Sequence, residues 1–180
     1  MAGTLTVQTL QGPSSGANAN KLLIPSGQTL DVSSGTLVPS AGAVVQLQRV
    51  QSVSNLGSIT STSFVEFGGS QFELTFTPKY ATSLLEVRLE CQVYTTGTGN
   101  PYSSFTIYRD GVDQIGATYG FGYLQVINTS NAQHCNGSIL INANSTAPTV
   151  FTAAVMSGSG QTANLGGGNL RAITVMEIAQ

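Results

Sequence analysis

The chain has 180 residues, room for one ordinary domain and an appendage, and only 8% of them are charged against about 25% in a typical globular protein. With 41% hydrophobic residues and a net charge of -2 it lacks the signature of disorder, and six Lys and Arg spread along it form no basic patch for nucleic acid. Polarity comes from Ser and Thr, 41 together, a composition that suits β-structure with many turns.

The first residues, MAGTLTVQTLQG, lack the basic region and apolar run of a signal peptide, and no stretch approaches the roughly 20 apolar residues of a membrane span. Residues 4–10 (TLTVQTL) read as a short strand and 12–20 as a loop. Gly12-Pro13-Ser14-Ser15-Gly16 matches G-x-S-x-G, but a nucleophile elbow needs a helix after it, and ANANKLLIPSG reads as loop and then strand.

Residues 20–45 say nearly the same thing three times. Ser26-Gly27, Ser34-Gly35 and Ser40-Ala41-Gly42 punctuate short aliphatic runs that include Leu22, Ile24, Leu30, Val32, Leu37 and Val44. Strands of three or four residues cannot enclose a core alone, since even a two-stranded hairpin is marginal in water. Two solutions remain open. Three chains wound about one axis would bury this stripe as a β-repeat stalk, or the short strands would pack against the C-terminal domain.

From about residue 44 the pattern is that of an antiparallel β-domain. Strands are expected at 44–53, 62–67, 71–77, 84–94, 103–109, 121–127, 135–143, 149–156 and 169–178. The fourth alternates cleanly, with Leu85, Val87, Leu89, Cys91 and Val93 on one side and Glu86, Arg88, Glu90 and Gln92 on the other. Asp110-Gly111 marks a turn after the strand ending at Arg109. This number and spacing of strands fits a sandwich or jelly roll.

Catalytic and metal constellations are sparse. His134 and Cys135 are neighbours on a strand and so point to opposite faces. One His and two separated Cys assemble no zinc site within one chain. Glu73, Glu86, Glu90, Asp110 and Asp113 include no evident glycosidase pair, and Glu86–Arg88–Glu90 reads as a salt-bridged face. Three Asn-x-Ser/Thr matches, at Asn128, Asn136 and Asn144, read as turn and strand residues. Cys91 and Cys135 read as buried thiols on apolar strand faces, with a disulfide as the alternative. The expectation is a non-enzyme without cofactor or metal.

The phrase NKLLIPSGQTLDVSSGTLVPSAGAVVQL resembles tail-fibre and virion surface structural proteins of marine and cyanobacterial bacteriophages. FELTFTPKYATSLLEVRLECQVY, SSFTIYRDGVDQIG and LRAITVMEIAQ resemble the β-sandwich heads of such fibres, which are similar to trimeric tumour-necrosis-factor-like jelly rolls. The resemblance implies an all-β homotrimer: an attachment segment at 1–20, a β-repeat stalk at 21–45 and an antiparallel jelly-roll head at 46–180. It implies a short tail fibre or spike for host attachment, or alternatively a capsid decoration, cement or head-fibre protein without a receptor role. Leu5, Val7 and Leu10 would then face the virion, and Leu22, Ile24, Leu30, Val32, Leu37 and Val44 would form the trimeric stalk core. Loops 95–103, 119–123 and 157–169 would contact a host-surface glycan or protein, with Tyr102, Tyr119, Phe121 and Tyr123 as stacking residues; core packing is the alternative for Phe121 and Tyr123. Partners would be two further copies and a tail adaptor or capsid protein, with neither nucleic acid nor membrane. The location would be the virion surface, after assembly in the host cytoplasm.

Overall fold

A computed structural model of the chain describes residues 14–16, 26, 39–99, 101–125, 132–166 and 170–180. The chain divides into two units, Met1–Val38 and Pro39–Gln180. In the first, Ser14, Ser15 and Gly16 form a bend and Ser26 occupies a turn. The strand expected at 4–10, and Leu5, Val7, Leu10, Leu22, Ile24, Leu30, Val32 and Leu37, lie outside the described residues.

The second unit is built from strands β1 (Val44–Ser52), β2 (Ser58–Ile59), β3 (Val65–Glu66), β4 (Glu73–Phe76), β5 (Leu84–Thr96), β6 (Tyr102–Arg109), β7 (Val112–Asp113), β8 (Tyr123–Gln125), β9 (Ala132–Asn142), β10 (Thr149–Ser157), β11 (Thr162–Asn164) and β12 (Arg171–Ile178). They form two antiparallel sheets of six strands each. In the first sheet β5 is the spine: β9 lies along one side, β12 and β11 follow each other along the other, and β1 and β2 pair beyond them. In the second, β10 lies between β6 and the short strands β3 and β4, while β7 and β8 pair with the far side of β6.

The alternation along β5 decides how the sheets meet. Leu85, Val87, Leu89, Cys91 and Val93 are all buried, as their period of two requires, and face Phe105, Ile107, Phe151, Ala153 and Val155 within one core. Phe67 stacks on Phe72 at 5.6 Å and meets Phe105 edge-on at 6.2 Å, an aromatic seam that closes one margin. The turn at Asp110-Gly111 has positive φ at both residues, 51° and 77°, the pattern that joins twisted antiparallel strands without splaying them.

Val44 begins β1, where a strand was expected from residue 44. It stands opposite Ile178, and Ser40-Ala41-Gly42 turns the chain onto the sheet. The reason is hydrogen bonding: Gly42 N–H donates to Ala179 O and Ala179 N–H donates to Ala43 O, so these residues already extend the β1–β12 ladder. The sequence also gave no sign of β2, β7 and β11, each two or three residues long. Such strands exist because a neighbour pairs with them, not because of their own periodicity.

Two buried charges brace the ends of β12. Arg171 is fully buried and donates to the carbonyls of Gln92, Ser54 and Gly166, joining two loops to β5. Glu177, equally buried, accepts from Lys79 N–H and Tyr80 N–H at 2.9 Å, from Ser83 Oγ at 2.6 Å and from Gln46 Nε2 at 2.7 Å. Burial pushes its carboxyl up, but the donors from Lys79, Ser83, Tyr80 and Gln46 outweigh burial and hold it below the usual carboxylate range.

Candidate functional site

Three loops expected to contact a receptor converge at one end of the sandwich. Gln161 is the tie. Its Oε1 accepts Tyr102 N–H at 2.8 Å, its own N–H donates to Gly158 O at 3.0 Å, and its side chain lies against Gly97. The ring of Tyr102 meets that of Tyr119 edge-on at 6.2 Å, so the 95–103 and 119–123 segments are joined by an aromatic contact. Tyr119 is 44% exposed, whereas Tyr102 is half-buried.

Phe121 has a different place. It packs against the core, and its ring fills the space where a side chain on Gly137 of β9 would stand. A ring held under a sheet in this way serves packing. Tyr123 pairs with Ser104 through the backbone of β8; its side chain lies outside the described residues. Gln161 had no signal in the sequence, because an amide in a Ser-Gly-rich loop looks like any other loop residue.

The second surface is the outer face of the first sheet, where register sets out rows of side chains. Leu47, Met176, Glu86 and Leu140 form one row; Arg49, Thr174, Arg88 and Ser138 form the next. Arg88 pairs with Glu86 at 3.1 Å, but Glu90 pairs across the sheet with Arg49 at 2.9 Å, so the expected charged face divides into two ion pairs. Both pairs are substantially exposed, and each is worth less than about 1 kcal/mol. A shallow groove of about 380 Å³ runs beside Arg88, Glu90, Asn136, Gly137 and Ser138. A smaller hollow of about 130 Å³ lies among Leu47, Glu86, Arg88, Thr174 and Met176. Leu47 and Leu140 are 57% and 59% exposed, an apolar margin beside the charges.

His134 is exposed on this face while Cys135 is buried beneath it, so the adjacent pair does not share a proton. Among the described residues no three His, Cys, Asp or Glu side chains gather as metal ligands. Asp110 accepts from Thr149 Oγ1 and from Val150 N–H at 2.8 Å, which hold its carboxyl below the ordinary range. Its role is to pin the β6–β7 turn onto β10.

No family model matches the chain, and no curated protein does. Among solved structures it resembles infectious bursal disease virus VP2 in a subviral particle, at 14% identity and TM-score 0.44, with 93% of this chain and 40% of that one covered. It also resembles a chain of the T13 particle of the same virus, at 16% identity and TM-score 0.39, covering 87% and 40%. A third similarity is to dimeric latent PorU from Porphyromonas gingivalis, at 11% identity and TM-score 0.38, covering 77% and 14%. The chain thus spans well under half the length of each of these proteins. The likenesses are distant, two to virus-particle proteins and one to a bacterial protein.

Proposed function

We propose that the chain is a bacteriophage virion structural protein: a trimeric short tail fibre or spike that displays its β-sandwich for host attachment. The observation that carries the reading is the convergence of three loops at one end of the sandwich, where Gln161 fixes the backbone beside the Tyr102–Tyr119 pair. Tyrosine suits this task because a rigid ring stacks on the apolar face of a sugar while its hydroxyl hydrogen-bonds, at little entropic cost. The resemblance of the NKLLIPSGQTLDVSSGTLVPSAGAVVQL phrase to phage fibres supports the same reading. In it, residues 1–20 attach to a tail adaptor or capsid protein, and three copies meet through the aliphatic repeat. Neither a cofactor nor a catalytic step enters this role.

Binding of the fluorescently labelled, purified chain to host cells is the test. Tyr119→Ala should weaken binding at least tenfold while Tm falls by no more than about 5 °C, the cost of losing the edge-on contact with Tyr102. Absent cell binding together with stoichiometric binding to undecorated capsids would replace host attachment with capsid decoration.

A further inference from the structure

Cys91 and Cys135 stand directly opposite each other across β5 and β9. Both side chains enter the core, at 2% and 6% exposure. Directly opposed residues of an antiparallel pair have Cα atoms about 4.5 or 5.5 Å apart, depending on whether they exchange hydrogen bonds. Either spacing lies within the roughly 4.4–6.8 Å that a disulfide spans. Sequence separation conceals the pairing, since 43 residues lie between the two cysteines. Among the described residues β9 pairs with β5 alone, so it is an outer strand held by one ladder. An outer strand opens locally more readily than a central one.

We propose that Cys91 and Cys135 are a redox modification site, in which a low-molecular-weight disulfide converts the opposed thiols into a cross-strand disulfide that ties β9 to the spine of its sheet. The inference rests on strand register and is independent of the proposed attachment role. Cys135 reacts first because it belongs to the outer strand. Burial pushes its thiol up to about 11, whereas burial takes Cys91 up to about 12 despite the lowering influence of Arg171. The Cys135 thiolate attacks one sulfur of the oxidant, its S–S bond breaks, and one small thiol leaves. The Cys91 thiolate then attacks the Cys135 sulfur of the mixed disulfide and expels the second small thiol. Two protein thiols and one oxidant disulfide become one protein disulfide and two small thiols, which carry away both protons. In the folded protein so little thiolate is present at neutral pH that the exchange is slow and proceeds through opening of β9.

The experiment refolds the full chain from denaturant in oxidised glutathione, so that burial does not limit access. Peptide mapping should recover one intrachain link between Cys91 and Cys135, with no thiol left to alkylate after unfolding. Closing a loop of this length should raise Tm by roughly 5–10 °C over the reduced protein. The Cys91→Ser variant should retain one glutathione per chain at Cys135, since the resolving thiol is gone, and the double Cys→Ser variant should not respond to the oxidant. Free thiols, interchain links, a persistent glutathione adduct on the parent chain, or a linked chain with a lower Tm would each overturn the proposal.

Discussion

Glu177 offers the sharpest test of what holds the sandwich together. Its carboxylate is fully buried and satisfied entirely by the four neighbouring donors, which come from β1 and the 79–83 turn. Glu177→Gln keeps the shape. The amide oxygen can replace Oε1 toward Tyr80 and Ser83, but the amide nitrogen then faces Gln46 Nε2, donor against donor. Turning the Gln46 amide over would relieve that contact only by losing its 2.7 Å bond to Thr77 O. One charge-assisted bond lost and the others weakened should cost about 2 kcal/mol at pH 7. Glu177→Ala leaves the backbone N–H groups of Lys79 and Tyr80 without their acceptor, while the Ser83 hydroxyl falls back on Tyr80 O, and should cost roughly 3 kcal/mol. The pH dependence has a definite sign. A carboxyl held below its unfolded value stabilises fully above about pH 4.5, and that contribution is lost as pH falls through the folded value. The gap between parent and Glu177→Gln should therefore narrow from pH 7 to pH 3. Urea unfolding followed by far-UV circular dichroism measures it, which suits a chain with no Trp. A penalty below about 0.5 kcal/mol at pH 7, or one that does not change with pH, would refute the reasoning.

Gly137→Ala would drive a methyl group into the Phe121 ring and should destabilise by about 1–3 kcal/mol; combining it with Phe121→Ala should cost less than the two single penalties added, in a double-mutant cycle by urea unfolding. Asp110→Asn retains a residue tolerant of positive φ but loses the charge that binds Thr149 and Val150, for a cost of about 1 kcal/mol at pH 7 that fades as the parent carboxyl titrates in acid. Light scattering on the full chain should give three copies per particle. Leu30→Asp should disrupt that assembly while the sandwich stays folded, because three carboxylates would be forced into an apolar stalk, whereas Ser33→Asp should be tolerated. Equal behaviour of these two variants would remove the shared-core stalk.

Long strands were legible wherever a period of two met one dry face. Leu85 to Val93 reads correctly because alternation is a local property, and the Asp110-Gly111 turn reads correctly because positive φ depends on two adjacent residues. The opposed faces of His134 and Cys135 follow from the same local geometry. Tertiary structure decided everything that depends on register or on a distant partner. Phe121 packs against the core because Gly137, on another strand, leaves room for its ring. Glu90 pairs with Arg49 instead of Arg88 because β12 carries β1 alongside β5. Ser40-Ala41-Gly42 looks like another repeat phrase, yet it joins the sheet because the carbonyl of Ala179 awaits the N–H of Gly42. Backbone propensity and side-chain alternation are written within a few residues of the chain. Pairing partners are chosen by the burial and hydrogen bonding of the whole sandwich, and no short stretch contains that choice.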